Sequence, residues 1–258
     1  AISSRFKQIN NFWPSSRIET GYVLYFLVAD KLSSDAKNSK LVYKKINYKL
    51  TDFGVLLKRK MEIVSLKKKY ANKLENQVLL FGYTSNYYES KEGLINSYLS
   101  PFKIELDKRS IKNHEFLFFG KKPIDGMKSE LVDLYIKLYE YYKNLWSLKN
   151  IYKGSNHRAY YNASLIDGFL SEKGIEEHGY IAKNVYKSEI ELEITTSAFT
   201  HFLKIVNPKF IWTYCYYDNN TMALLKAANK LRINSAEYQH SIQPDEHFGY
   251  GKWQLHSC

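Results

Sequence analysis

Cysteine is scarce in this sequence, and apolar segments long enough for a membrane span are absent. The two cysteines, Cys215 and Cys258, form neither a metal-ligand spacing nor a disulfide framework, so the reducing cytoplasm is the expected compartment. Residues 1–14 contain no apolar core of a secretory signal. The apolar run Tyr22–Ala29 is about a third of the ~20 residues that a membrane span needs. These absences predict a soluble or peripheral protein.

Three well-known catalytic motifs are also missing. The sequence has no phosphate-binding GxxxxGK[ST] loop, no GxGxxG after a predicted strand and no GxSxG elbow. Phosphate-loop ATP hydrolysis, hydride transfer and serine hydrolysis are therefore disfavoured. His240, Asp245 and His247 could ligate a metal, but their spacing matches no known metal motif, and we predict no metal and no cofactor.

Lysine, arginine and tyrosine are abundant. The net charge is +12, which attracts nucleic acid, anionic lipid or phosphate-bearing substrates without choosing among them. The 23 tyrosines suit a core with a hydrated rim or a groove that stacks on flat ligands such as sugars and bases. Codon bias of an AT-rich genome is an equally simple explanation of this composition.

Four short segments, three of them largely apolar, predict the strands of a parallel sheet. Gln77–Tyr83 is a short, continuously apolar run, as in a strand that is buried on both faces, and Glu115–Gly120 is predicted as a second strand. A strand–helix–strand unit is predicted near the end of the sequence, with strands at Phe210–Tyr214 and Ser235–Gln239 and a helix at Thr221–Leu231 between them. The crossover of this unit should be right-handed. The predicted fold class is α/β, a Rossmann-like parallel sheet flanked by helices.

Helices are expected at 52–75, from about Gly93, at Ser129–Leu148, at Ser188–Val206 and at Thr221–Leu231. Asn220 or Thr221 is the expected cap of the last helix. The helix at Ser188 should begin with Glu189, Glu191 and Glu193, which favour the positive end of its dipole. Residues 150–184 contain several glycines and are expected to be rich in loops.

The helix at 52–75 has an apolar and a basic set of residues. The apolar set, expected to face the core, is Phe53, Leu56, Leu57, Met61, Val64 and Leu74. The basic set is Lys58, Arg59, Lys60, Lys67, Lys68 and Lys69. This second set is either a solvated face or a strip that lies on anionic lipid headgroups.

Two polar segments follow predicted strands. The aromatic loop Thr84–Glu89 follows the first, and Gln239–Tyr250 follows the last. Substrates of open α/β sheets bind beyond the carboxyl ends of strands, so both segments are candidate walls of a site. His240 can move protons near neutral pH, while Asp245 and Glu246 could act as bases or orient a neighbour. The alternative is that these are ordinary polar loop residues.

Residues 210–253 resemble a segment of bacterial capsule and lipopolysaccharide glycosyltransferases. These enzymes have two Rossmann-like domains across a cleft, the GT-B arrangement, and their N-terminal domain often ends in a strand followed by Gln-His-Gly, then by His and Tyr. The matching residues here are Gln239, His240, His247 and Tyr250, and Ser241 replaces the family's glycine.

The resemblance implies transfer of a sugar from a nucleotide-sugar donor to a surface polysaccharide or lipid-linked glycan. The expected domains are a helical N-terminal segment at 1–75 and, as the resemblance implies, a Rossmann-like acceptor-binding domain at 76–258. A second domain would need on the order of 100–150 more residues and is expected to be largely absent from this sequence. The expected location is the cytoplasm, at the inner face of an anionic membrane, with no nucleic acid partner.

The resemblance also assigns roles to residues. The implied catalytic residues are His240, Asp245 and Glu246. The implied substrate-binding residues are Gln239, His247, Tyr250, Tyr83, Asn86 and Tyr87. Two rival hypotheses stay open, a basic nucleic-acid-binding protein and a non-catalytic glycan-binding or scaffold domain.

Overall fold

The computed structural model describes residues 53–91, 93–118, 130–153, 164, 167–172, 174, 178–214 and 218–238. By contacts the chain separates into two units. One comprises Ala1–Leu50, Leu148–Glu191 and Gln243–Cys258; the other comprises Thr51–Ser147 and Leu192–Ile242 and holds all described strands. This division groups the helix after residue 52 with the sheet, and the expected boundary at residue 75 stays a prediction.

Eleven main elements follow one another in the described part of the chain. They are α1 (Phe53–Tyr70), β1 (Val78–Tyr83), β2 (Tyr87–Ser90), β3 (Gly93–Asn96), α2 (Ser100–Lys108), β4 (Asn113–Phe118), α3 (Glu130–Lys153), α4 (His178–Val206), β5 (Phe210–Thr213), α5 (Asn219–Leu231) and β6 (Asn234–Glu237). A single 3-10 turn, Thr84–Asn86, joins β1 to β2.

Four of the strands form one parallel sheet in the order β4-β1-β5-β6. The central strand β1 pairs with β4 along its whole length, and its first half pairs with β5. Leu79, Leu80 and Phe81 are fully buried, because helices cover both faces of the sheet at this strand. The predicted α/β class, the parallel sheet and the unit β5–α5–β6 are confirmed, and the arrangement is Rossmann-like.

Aromatic side chains fill the core between one face of the sheet and the helices α3 and α4. Phe116 of β4 lies 5.1 Å from the ring of Phe202, and Tyr135 of α3 stacks on Phe199 at 4.4 Å. Phe81 stacks on Phe116 at 5.8 Å. Such pairs contribute about 0.5–1.5 kcal/mol each beyond their buried area, so this layer holds two helices and two strands together.

The opposite face of the sheet packs against α2. Leu80 and Leu117 of the sheet are buried in one apolar cluster with Leu99 and Leu106. Trp212 of β5 stacks on Phe102 of α2, with ring centroids 3.7 Å apart. The connection from β1 to β4 therefore runs across this face, whereas α3 and α4 lie on the other.

A hairpin precedes the helix that the sequence predicts from about Gly93, and this helix begins only at Ser100. β2 and β3 pair antiparallel, with Ser90 opposite Gly93, whose φ of 107° is accessible mainly to glycine. The predicted loop Thr84–Glu89 is a 3-10 turn followed by the start of β2. The Asn96 side chain accepts hydrogen bonds from the backbone N–H groups of Tyr98 and Leu99, both 3.0 Å long, and α2 begins after this turn.

Helix α4 begins ten residues earlier than expected, at His178. Glu189, Glu191 and Glu193 therefore lie inside the helix, and the prediction that they complement its positive end is wrong. Residues 178–184, expected in a loop-rich region, are helical. Burial explains the early start, because Ile181, Ala182 and Val185 are buried along one side of the added turns.

The side of α1 that faces the core also differs from the prediction. Leu74 of the predicted apolar set is buried as expected, but Leu57, Met61 and Val64 are exposed, and Ile63 and Tyr70 are buried instead. Arg59, expected on the basic face, forms an ion pair with Glu140 of α3, and the Lys137 ammonium lies 3.0 Å from the Glu62 carboxylate. The hydrogen bond from Lys137 lowers the pKa of Glu62. These pairs fix which side of α1 turns towards α3.

Candidate functional site

The crossover connections that follow β1 and β5 leave these neighbouring strands in opposite directions along the sheet. From β1 the chain crosses to β4 on one side, and from β5 it crosses to β6 on the other. In open α/β sheets such a switch point leaves a crevice between two neighbouring strands, and ligands bind there. Tyr83 ends β1, Tyr214 follows β5, and Asp218 precedes α5. These three residues occupy this part of the edge.

Tyr83 connects β1 to the segment that follows β5. Its hydroxyl donates a hydrogen bond to Asp218 Oδ1, and its backbone N–H donates to the hydroxyl of Tyr214 at 3.0 Å. Burial, and then the charge of Asp218, raise the pKa of Tyr83 far above its usual value. The phenol therefore stays protonated and acts as a hydrogen-bond donor, not as a base.

Asp218 caps the N-terminus of α5. Its carboxylate accepts hydrogen bonds from the backbone N–H groups of Asn220 (2.9 Å) and Thr221 (3.1 Å), and from the Thr221 hydroxyl. The expected caps, Asn220 and Thr221, are wrong, because the residue with extended backbone before the helix is Asp218. The positive end of this helix is therefore already occupied by a carboxylate, which disfavours a phosphate group there.

Aromatic rings surround this network. Tyr98 stacks on Tyr214 at 4.7 Å, and Tyr83 meets Tyr214 edge to face at 6.4 Å. Gly82 makes this packing possible, because a Cβ at that position would lie 2.6 Å from Leu99 Cδ1 and 2.9 Å from Tyr214 Cε1. The edge at β1 and β5 thus combines apolar rings with hydroxyl and carboxylate groups, as a site for a hydroxyl-rich ligand requires.

The other two substrate-binding residues predicted in this region follow β1 directly. Asn86, half-buried, accepts a hydrogen bond from the Ser85 hydroxyl at 3.0 Å. Tyr87 donates its hydroxyl hydrogen to Glu115 Oε1 at 2.6 Å, and Lys103 donates to Glu115 Oε2 at 2.7 Å. Burial, together with the Glu115 carboxylate, raises the pKa of Tyr87.

Tyr83, Asn86 and Tyr87 therefore lie in one short segment that leaves the carboxyl end of the sheet, as the sequence predicts. Tyr83 is hydrogen-bonded to Asp218, whereas Tyr87 is hydrogen-bonded to Glu115 of β4. Their role in substrate binding stays a prediction.

The remaining predicted site residues lie outside the described residues. They are Gln239, His240, Asp245, Glu246, His247 and Tyr250. The described chain reaches Tyr238, whose backbone N–H donates to the Thr213 carbonyl at 2.7 Å and extends the β5–β6 ladder beyond Glu237. Within residues 53–238, as far as they are described, no group of three His, Cys, Asp or Glu side chains could hold a metal.

Sequence reasoning missed three members of the edge network, Asp218, Tyr214 and Tyr98. The capping role of Asp218 could have been predicted from the sequence, because Asp shortly before a predicted helix is a strong capping residue. No sequence pattern predicts the contact of Tyr214 with Tyr98, since only the pairing of β1 with β5 and the position of α2 bring them next to each other.

These features define a Rossmann-like α/β unit with an aromatic, hydroxyl-lined edge at its switch point. Comparison with known protein families, curated proteins and solved structures gives no match to this chain. Among the described helices, none has the length and apolar character needed to cross a bilayer.

Proposed function

We propose that this protein is a glycosyltransferase that uses a nucleotide-sugar donor, and that the described sheet belongs to its acceptor-binding domain. The observation that carries the proposal is the parallel pairing of β5 with β6, extended by the hydrogen bond from Tyr238 to Thr213. The Gln239-His240 pair follows Tyr238 directly in the sequence. The strand that precedes this pair in the sequence therefore ends at the carboxyl edge of a parallel sheet, and substrates of such sheets dock at that edge.

The electrostatics of the edge favour an acceptor over the diphosphate of a donor. The helix N-terminus at the switch point is filled by Asp218, so a phosphate there would meet a carboxylate instead of free N–H groups. A sugar hydroxyl has no such conflict, because it can donate to carboxylates and accept from tyrosines. Tyr83 and Tyr98, which are only partly buried, supply the apolar ring surface that sugar rings pack on, and the buried ring of Tyr214 supports both.

The proposed reaction is a displacement at the anomeric carbon of the donor sugar. His240 removes the proton of an acceptor hydroxyl, and Asp245 or Glu246 orients the imidazole. The acceptor oxygen forms a bond to the anomeric carbon, while the bond to the phosphate oxygen breaks and the nucleotide leaves. Tyr83 does not take part as a base, since its hydroxyl is held protonated against Asp218.

The test is turnover of nucleotide sugars by the full chain and by its single-residue variants. Uridine, guanosine and cytidine nucleotide sugars are supplied with extracted surface glycans, and released nucleotide and labelled glycan are both measured. His240→Ala should reduce turnover about 100-fold or more, as expected for loss of a general base. His178→Ala is the control, because this partly exposed histidine contacts Asp167 through a hydrogen bond and has no assigned part in the reaction.

The rival hypotheses predict different results in the same experiment. Full turnover in His240→Ala would remove the assigned role of this histidine. Binding of glycan without turnover of any donor would indicate a non-catalytic domain. Steeply salt-dependent binding to random RNA, with no donor turnover, would indicate a nucleic-acid-binding protein.

A further inference from the structure

The solvent-facing side of α1 carries an exposed apolar stripe. Leu57, Met61 and Val64 are spaced by four and three residues, so they lie on one side of the helix. Their exposed fractions are 48%, 73% and 51%. The opposite side of the helix is the one that packs, since Ile63 and Tyr70 are buried. Three neighbouring apolar side chains on one helix face form a patch, which single exposed residues do not.

Lysines flank the stripe. At 100° per residue, Lys60 and Lys67 lie beside Val64, and Lys68 lies between Leu57 and Met61. All three lysines are exposed. Glu62 is the one acidic residue of α1, and it turns towards Lys137 of α3. The surface that includes the stripe is therefore apolar and cationic, without a carboxylate of α1.

We propose that this face of α1, formed by Leu57, Met61 and Val64 with Lys60, Lys67 and Lys68, binds the surface of an anionic lipid bilayer. The helix lies parallel to the membrane plane, and the three apolar side chains enter the boundary between headgroups and acyl chains. The lysine stems extend along the same boundary, and their ammonium groups reach lipid phosphates. This inference is independent of the proposed transfer reaction.

Two other occupants fit the face less well. A second copy of the chain would place the same lysines opposite one another, and like charges repel. Single-stranded nucleic acid is bound by aromatic platforms beside basic residues, whereas the exposed apolar residues of this face are aliphatic. Of these three occupants, the anionic bilayer matches both the lysines and the aliphatic side chains.

The test is sedimentation of the full chain with lipid vesicles. Vesicles of phosphatidylcholine alone are compared with vesicles that also contain phosphatidylglycerol, at low and high salt. We expect binding to the anionic vesicles only, and weaker binding at high salt. Replacing the three lysines by Gln should lower the partition coefficient on the order of 100-fold. Replacing Leu57, Met61 and Val64 by Ser, with all charges kept, should lower it about tenfold or more.

The matched control is the double variant Ile104→Ser/Ile136→Ser. These exposed isoleucines of α2 and α3 lie outside the proposed face, and their removal should leave vesicle binding unchanged. Each variant is first unfolded in urea, and an unchanged midpoint shows that the fold is kept.

A depth measurement separates insertion from simple charge attraction. Met61→Cys in a Cys215→Ser/Cys258→Ser background is labelled with bimane, and its emission should shift to the blue on anionic vesicles. Ile104→Cys in the same background should not shift. The proposal is overturned if the serine triple variant binds as well as the native chain, if the label at residue 61 stays in water, or if the face instead mediates self-association or binding to RNA.

Discussion

Gly82 shows how one missing side chain determines the shape of the candidate site. It lies in β1, in the half of the strand that pairs with β4 alone, next to Tyr83. Glycine usually weakens a strand, and its presence in a strand often marks a close approach of neighbouring groups. Here the neighbours are Leu99 and Tyr214, which occupy the space that a Cβ would need. The Tyr214 hydroxyl can therefore reach the backbone N–H of Tyr83 only because residue 82 has no side chain.

We predict that Gly82→Ala destabilises the protein by about 1–3 kcal/mol, the usual cost of overpacking a core. The reason is that the added methyl group would lie 2.6 Å and 2.9 Å from two side chains that are themselves packed. Urea unfolding followed by circular dichroism measures the change. Gly168→Ala is the control, because no atom lies within 4 Å of a Cβ at that helical position. Equal midpoints for the two variants would contradict the prediction.

At the scale of secondary-structure elements, Asp218 joins a helix to a strand from a distant part of the sequence. One of its oxygens accepts from Asn220 N, Thr221 N and the Tyr83 hydroxyl, and the other accepts from the Thr221 hydroxyl. The helix α5 and the strand β1 are thus held by the same carboxylate. The loss of this group should affect both elements together.

We predict that Asp218→Ala destabilises the fold by about 2–3 kcal/mol, from the lost cap of α5 and the unpaired Tyr83 hydroxyl. Asp218→Asn should cost less, since Asn is also a good cap. Tyr83→Phe should cost about 1 kcal/mol. Urea unfolding of Asp218→Ala, Tyr83→Phe and the double variant gives the coupling energy. Simple additivity of the two single effects would show that the hydrogen bond contributes nothing.

At the scale of the whole molecule, the excess of positive charge acts on two half-buried histidines, His114 and His201. Burial, and then the charges of Lys67 and Lys204, lower the pKa of His201, whose Nδ1 lies 3.3 Å from the Tyr142 hydroxyl. Burial is also the main cause of the lowered pKa of His114. Both histidines therefore bind protons less readily in the folded chain than in the unfolded chain.

We predict that the free energy of unfolding falls as the pH drops below about 7. In this range the pH passes the pKa of histidine in the unfolded chain, which is about 6.5. In that range the unfolded chain binds more protons than the folded chain, so the free energy of unfolding decreases with each step to lower pH. His201→Gln, which removes one of these groups, should show a shallower decrease than the native chain. Urea midpoints measured across the pH range check this. Parallel curves for both proteins would mean that His201 does not contribute.

The strands and the βαβ unit could be predicted from the sequence because local composition determines them. Continuous apolar runs such as Val78–Tyr83 have few other stable environments than a sheet covered on both faces. The hairpin Tyr87–Asn96 was missed because its strands are short and half exposed, so they carry no strong period. The exposed side of α1 was also predicted wrongly, because apolar residues lie on both sides of this helix and only its contacts with α3 select one.

By itself, the sequence determined the α/β class, the parallel direction of the strands and the cationic character of the chain. These properties depend on residues close together in the chain or on composition alone. Only the tertiary structure decided which strands are neighbours, and therefore which side chains meet at the site. Tyr83 and Asp218 are 135 positions apart and touch because β1 pairs with β5. Contacts over such separations depend on strand order, which local sequence patterns do not encode.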